Sequence, residues 1–199
     1  MLQASFDNQL AQLAPFIFYL IAFVIIYVET GIMLGFFLPG DSLLFSAGLV
    51  AAANESIDIS LLCLVVFLAA FIGDQTGYVI GRKYGRPYID KKNSPKLQRF
   101  IIRAEKFYER SGWWAVVAAR YFPWLRTFVP PIAGAANMRY YSFLTANAFG
   151  ALSWGVLITL AGYYSASIPW VKSSSYAIAA FFISASIISS VAGYLRHRR

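Results

Sequence analysis

Four charged residues stand in apolar company that ordinarily carries no charge. Glu29 and Asp41 bracket Thr-Gly-Ile-Met-Leu-Gly-Phe-Phe-Leu-Pro-Gly, and Arg120 and Arg126 bracket Tyr-Phe-Pro-Trp-Leu. Both stretches are broken by proline, at Pro39-Gly40 in the first and at Pro123 and Pro130 in the second. A charge at the centre of a bilayer costs roughly 3 kcal/mol or more on insertion scales, so it faces protein or a wet cavity. Broken backbone at membrane depth is tolerated under the same condition. Arginine keeps its charge when buried and presents a planar fork that suits phosphate, which makes Arg120 and Arg126 candidate ligands for a phosphate headgroup. A carboxylate in such surroundings can bind and release a proton, its affinity set by desolvation against a neighbouring arginine. Glu29 and Asp41 are therefore candidate proton carriers. Two blander readings stand beside these. The four charges, which sum to zero, can be salt bridges that only hold two hairpins together. Asp41 can be a helix cap, accepting from the N–H of Leu43 or Leu44.

The elements that must position these residues follow from composition. Hydrophobic residues make up 59% of 199 residues, too apolar for an ordinary soluble domain and long enough for one membrane domain, 1–199. The single cysteine, Cys63, forms no intrachain disulfide, and the single histidine, His197, lies in a basic tail. A histidine triad, a zinc site and a phosphate-binding glycine loop with its Lys-Ser/Thr ending are all absent from the sequence. No metal, no cofactor and no enzymatic reaction are expected. The net charge of +8 is local: residues 82–110 hold ten Lys/Arg against three Asp/Glu, and residues 196–199 add three more. Charge confined to segments flanking apolar runs describes cytoplasmic membrane loops and argues against a nucleic-acid partner.

Along the chain, about four spanning helices are expected: 14–29, 59–81, 142–164 and 176–195. The first apolar run has no basic region before it and no cleavage site after it, so it reads as a retained span. The halves of 30–53 are each too short to cross ~30 Å of hydrocarbon, so that segment reads as a re-entrant hairpin turning at Pro39-Gly40. Residues 113–137 read as a second hairpin turning near Pro123. Gly73, Gly77, Gly81 and Gly85 recur every four residues and give one helix face close backbone approach, to a partner left open. Asn147, Ala151, Gly155 and Thr159 share another such face. Gly85 to Pro95 reads as a polar loop. Ser94-Pro95 starts a basic amphipathic helix that ends at Ser111-Gly112, its stripe Leu97, Phe100, Ile101, Ala104, Phe107 and Tyr108 set against Lys96, Arg99, Arg103, Lys106 and Arg110. Resting on an anionic cytoplasmic surface is its expected place. Asp74 is a fifth charge, inside the second span, with Arg82 or a hairpin arginine as alternative partners. Arg82 and Arg139 are expected at the interface, and the five tryptophans mainly in an aromatic belt.

With the basic segments inside, both termini are cytoplasmic and the two hairpins enter from opposite faces. That is the arrangement of an inverted repeat, a transporter architecture with its site near the midplane. The architecture expected is thus all-α and polytopic, with two opposed hairpins and a cytoplasmic amphipathic helix.

Four stretches resemble the DedA family of bacterial inner-membrane proteins, related to the VTT-domain (SNARE-associated Golgi) proteins of eukaryotes. They are Glu29-Thr-Gly with Phe37-Leu-Pro-Gly-Asp41 and Ala47-Gly48; Gly73-Asp-Gln-Thr-Gly-Tyr-Val-Ile-Gly-Arg82 with Tyr84-Gly85; Phe107-Tyr-Glu-Arg-Ser-Gly112; and Arg120-Tyr-Phe-Pro-Trp-Leu-Arg126 with Pro130-Pro131, Ala133-Gly134, Met138, Phe143, Asn147 and Trp154. The resemblance covers about 29–164, and the motifs are specific together and weak singly. Trp124-Leu125 is a departure, bulkier than what relatives often carry there. The resemblance implies residence in a bacterial inner membrane and lipid transport, with undecaprenyl phosphate or a phospholipid as cargo and the proton-motive force as drive. It also implies that the family's functional acids and bases fall on Glu29, Asp41, Arg120 and Arg126. Asp74, Arg82 and Asn147 are candidate supporting residues on the reading of the sequence itself. The alternatives are a proton- or cation-coupled exporter of small molecules and a non-transporting scaffold that recruits partners through 96–110. The sequence leaves the lipid, the direction of movement, and a monomer against a homo-oligomer open.

Overall fold

The computed structural model describes residues 2–31, 40–92, 94–168, 181 and 184. The described residues form helices and short connections, with no strand among them. In chain order the helices are α1 (Leu2–Gly31), α2 (Gly40–Ala53), α3 (Ile59–Ile80), α4 (Arg86–Lys92), α5 (Pro95–Ala119), α6 (Pro123–Ala135), α7 (Tyr140–Ala151) and α8 (Leu157–Ser165). Three helical runs are long and apolar enough to cross a membrane: Leu13–Gly31, Ile59–Lys92 and Tyr140–Ser165. Of the four expected spans, 176–195 lies outside the described residues apart from two positions, and so does the turn residue Pro39.

Two of these runs are continuous because a wide turn absorbs a residue instead of ending the helix. A π-helical turn, Gly81–Gly85, carries α3 into α4. The expected polar loop after Gly85 is therefore helical as far as Lys92. A second π-helical turn, Leu152–Val156, joins α7 to α8. Such turns concentrate at functional sites. At the other end, α3 starts on Asp58, whose carboxylate accepts from the Leu61 N–H at 2.8 Å while its own N–H donates to the Tyr19 hydroxyl at 2.7 Å. That pair of bonds ties the start of α3 to α1.

The first half of α5 differs from expectation in the same direction. Ser94 is extended and Pro95 opens the helix, although the Ser94 side chain makes no cap bond. At Ser111 (φ −138°, ψ 15°) the backbone leaves helical geometry, yet the helix resumes and runs to Ala119. Ser111-Gly112 is thus a kink rather than an end. Of the expected apolar stripe, Ile101, Ala104 and Tyr108 pack inward on Ala135, Ala136 and Ile89, while Phe100 and Phe107 stay exposed. The five basic residues of that helix are all exposed.

Two apolar cores lie side by side. One joins Ile26 of α1, Leu44 and Ala47 of α2, Val66 and Ala70 of α3, and Trp154. The other joins Tyr78 of α3, Val116 of α5, Ala133 of α6, and Met138 and Phe143 around α7. Large apolar side chains also cover the outside: Phe16 and Leu20 on α1, Leu61, Leu64 and Leu68 on α3, Leu152 and Leu157 beside the second π-turn. Surface of that kind suits hydrocarbon better than water. In lipid, helices gain little from apolar contact and associate through small residues that let backbones approach. The glycines do this here. A Cβ on Gly81 would stand 2.0 Å from the Pro131 carbonyl oxygen of α6, and one on Gly134 the same distance from that of Tyr78. Gly48 of α2 and Gly162 of α8 make the matching pair, against Thr159 and Phe45 carbonyls at 2.0 and 2.1 Å. The glycine ladder of α3 consequently serves two partners: Gly73 faces Thr30 of α1, and Gly77, Gly81 and Gly85 face α6.

Candidate functional site

The four charged residues that opened the sequence reading meet between the two cores. Glu29 lies in the last turn of α1 and Asp41 in the first turn of α2, on either side of the stretch that holds Pro39. Arg120 follows the last residue of α5, and Arg126 sits in the first turn of α6. The Arg126 guanidinium reaches both acids. Its Nη2 donates to Glu29 Oε1, and its Nη1 to Asp41 Oδ1 at 2.5 Å. These partners are 97 and 85 residues away in sequence. Arg120 reaches the fifth charge instead: its Nη1 donates to Asp74 Oδ2 and to Asn147 Oδ1, the latter at 3.1 Å. Asp74 thereby has Arg120 as partner, not Arg82. Asn147 in turn donates from Nδ2 to the Phe71 carbonyl at 3.0 Å, which orients its amide toward Arg120.

Burial separates these groups. Glu29, Asp74, Arg120, Arg126 and Asn147 are at most 6% exposed, whereas the Asp41 side chain is 42% exposed. Buried ions are tolerable only when paired and hydrogen-bonded, and the two clusters satisfy that requirement for one nitrogen or more of each arginine. They do not exhaust it. Arg120 Nε and Nη2, Arg126 Nε, Glu29 Oε2 and Asp74 Oδ1 are buried without a hydrogen-bond partner among the described residues. An unsatisfied donor on a charged group costs about 1–3 kcal/mol or more. Among the described residues, the centre therefore leaves guanidinium N–H groups unclaimed.

Trp154 joins the clusters. Its Nε1 donates to Asp41 Oδ1 at 3.0 Å, and its ring lies under both guanidinium carbons, at 4.7 Å for Arg126 and 5.4 Å for Arg120. Cation–π attraction is worth ~2 kcal/mol when desolvated, and the ring is 2% exposed. The expected aromatic belt does not contain this tryptophan. A signal for its place was present: Trp154 is seven residues after Asn147 and three after Ala151, in helical register with the buried face of α7. It stands within the second π-turn.

The break residues behave differently from one another. Gly40 opens α2 directly against Glu29, and a Cβ there would fall 2.0 Å from the carboxylate. Only glycine lets this helix N-terminus, with its partial positive charge, meet the acid. Pro123 stands at the first helical position of α6, where its missing N–H is harmless. Pro130 does not break the chain; it and Pro131 lie inside α6. Having no N–H, they leave the carbonyls of Arg126 and Thr127 without their helical donors. Pro130 is buried against Gly77 of α3, so the helix is held from outside. Arg82 is outside the centre. It is exposed and donates from Nη1 to the Tyr78 hydroxyl at 3.0 Å, and that hydroxyl donates to the Met138 carbonyl at 2.6 Å. No group of three or more His, Cys, Asp or Glu suited to a metal ion occurs among the described residues.

Comparison with known proteins agrees with this arrangement in its extent. Residues 38–164 match the family model of the VTT domain, a stretch that begins beside Asp41 and takes in Asp74, both arginines, Asn147 and Trp154. Over 183 residues the chain is 37% identical to protein DedA of Escherichia coli (strain K12), covering 91% of this chain and 84% of that one. An uncharacterized membrane protein of Mycobacterium leprae (strain TN) is 41% identical over 150 residues, 75% of this chain and 67% of the relative. No solved structure matches significantly. With its apolar helices, its buried charged centre and a VTT domain over most of its length, the chain belongs to the DedA family of membrane proteins.

Proposed function

We propose that the protein moves a phosphate-bearing lipid between the leaflets of a bacterial inner membrane, coupled to protons. The observation that carries the reading is the pair of arginines on one buried tryptophan, each bound to a carboxylate and each with a buried N–H unclaimed among the described residues. A phosphate diester or monoester is the anion such forks accept best.

The charge count supports coupling. Three carboxylates, Glu29, Asp41 and Asp74, face two guanidiniums. One proton brings the five charged groups to neutrality. When a proton neutralises the acid that holds Arg126, the guanidinium loses a partner and turns to the phosphate. Deprotonation restores the internal pair and expels the headgroup. Asp41, the exposed acid, is the entry for that proton, and Glu29 its buried neighbour. In this scheme 30–53 and 113–137 are hairpins entering from opposite faces, with α2 and α6 as their returning arms. Bracing of each arm by a glycine pair on a long helix supports that scheme.

The test is headgroup flipping in liposomes that contain the full chain, with and without a pH gradient. Arg126→Ala should abolish flipping, and Arg126→Lys should restore only part of it, since an ammonium lacks the fork. Normal flipping by a folded Arg126→Ala protein would remove the phosphate role. Transport of a soluble solute instead of lipid along the pH gradient would favour a small-molecule exporter.

A further inference from the structure

A cavity of 630 Å³ opens at the kink of α5, away from the charged centre. Its walls are the stretch around Ser111 and the turn between α6 and α7. Both walls have unusual backbone. Ser111 leaves helical geometry, and Asn137 has a positive φ, 51°, the one such non-glycine among the described residues. Gly112 allows the close fit between them: a Cβ there would meet Met138 Cε and the Tyr108 ring edge at 3.2 Å. The kink and the turn thus hold each other and leave the space beside them.

The lining has a definite chemistry. Arg110 comes from one wall and Arg139 from the other, and both are exposed. Neither makes an ion pair among the described residues. Of the two acids on the lining, Glu105 is held by Arg86, and Glu109 alone is left to oppose the two cations. Arg139 is also the N-cap residue of α7 and makes no side-chain cap bond, and Ser142 in the first turn of that helix lines the cavity as well. Two cations and the first turn of α7 border the same space, a combination that favours an anion. Trp114 stands at the rim and is 69% exposed, and Tyr141 next to Ser142 is 76% exposed. Aromatic residues so placed mark the membrane–water boundary, where one end of a ligand is wet and the other apolar.

We propose that this cavity is a second site, binding a phosphate ester carried by an amphiphile between Arg110 and Arg139, with the chain lying against Trp114. It is distinct from the centre around Arg126 and needs no transport to operate. The test uses the full chain in nonionic detergent, titrated with dihexanoyl phosphatidylglycerol and, in parallel, with inorganic phosphate. Saturable lipid binding at least tenfold tighter than that of phosphate is expected. The double variant Arg110→Gln with Arg139→Gln should weaken lipid binding at least tenfold, while Lys83→Gln leaves it unchanged. Equal affinity for inorganic phosphate would overturn the amphiphile, and unchanged binding by the double variant would overturn the site. Loss of binding in Arg126→Gln with retention in the double variant would assign the ligand to the centre instead. Should the double variant not fold, photo-crosslinking decides in the unmodified protein. A photoactivatable short-chain phospholipid should label 105–114 or 136–142, and labelling confined to other segments defeats the proposal.

Discussion

The two halves of the molecule use one packing device and opposite charges. In the first half α2 lies on α8 through Gly48 and Gly162; in the second, α6 lies on the end of α3 through Gly134 and Gly81. In both, each helix offers a glycine to a carbonyl of the other at 2.0–2.1 Å from where a Cβ would be. Both contacts also adjoin a π-turn, 152–156 before α8 and 81–85 after α3. The chemistry is divided instead of repeated. The first half supplies Glu29 and Asp41, the second Arg120 and Arg126. Asp74, on α3, is the acid that crosses over to serve the second half. Packing and charge are thus separable, and variants can break one without the other.

The largest effect should come from the packing. Gly162→Leu and Gly81→Leu each drive a side chain into a backbone carbonyl that cannot yield as a flexible side chain would. Overpacking a core side chain costs about 1–3 kcal/mol, and a backbone collision exceeds that. Both variants should fail to yield folded protein, read as loss of a monodisperse peak in detergent. If one folds normally and the other does not, the two contacts are not equivalent and the comparison fails.

Next come the ion pairs, where burial sets the order. Asp74→Ala leaves the buried Arg120 with Asn147 and the Trp154 ring but no carboxylate, and should destabilise by about 3–5 kcal/mol. Asp41→Ala leaves Arg126 with Glu29 and removes a side chain already 42% exposed, so about 1 kcal/mol is expected. Unfolding in mixed micelles by increasing SDS measures both. Equal losses would mean that the two arginine clusters do not differ as their burial says they should.

How far this division could be read in advance depends on the range of each interaction. The charges were legible because an ion in an apolar run is expensive wherever the chain goes, and Gly40 and Pro123 marked where α2 and α6 begin. The pairing was not. Asp74 and Arg120 are 46 residues apart, and the helix phase of α3 alone left Arg82, eight residues on, as good a candidate. Pro130 looked like a break because a proline removes an N–H and crowds the preceding turn. That cost is local, and packing against Gly77 from another helix outweighs it. The reach of α3 to Lys92 was hidden because a π-turn has no sequence signature of its own. Trp154 was hidden by a general rule about tryptophans at interfaces, although its spacing from Asn147 placed it on the buried face.

Trp154 sharpens the comparison because it touches both halves. Trp154→Phe keeps a ring under the two guanidiniums but loses the N–H to Asp41. A loss of about 1–2 kcal/mol in the same SDS assay follows from one charge-assisted hydrogen bond and a smaller ring. In the double variant with Asp41→Ala, the hydrogen-bond part should vanish, so the two losses should sum to less than their separate values. Full additivity would mean that the indole and the carboxylate do not interact.

The smallest effect belongs to Arg82, which lies on the packing side of the division although its charge suggests the other. Its guanidinium is exposed and donates to a Tyr78 hydroxyl that is itself engaged with the Met138 carbonyl. Arg82→Gln should therefore cost no more than about 1 kcal/mol, one exposed hydrogen bond. Tyr78→Phe is the informative partner, because Tyr78 is 1% exposed and its hydroxyl is the donor to the turn before α7. Removing it leaves the Met138 carbonyl without that bond and should cost about 1–3 kcal/mol. If Arg82→Gln proves the more damaging of the two, Arg82 acts through a partner other than Tyr78, and the boundary between the charged centre and its scaffold has to be drawn further along α3.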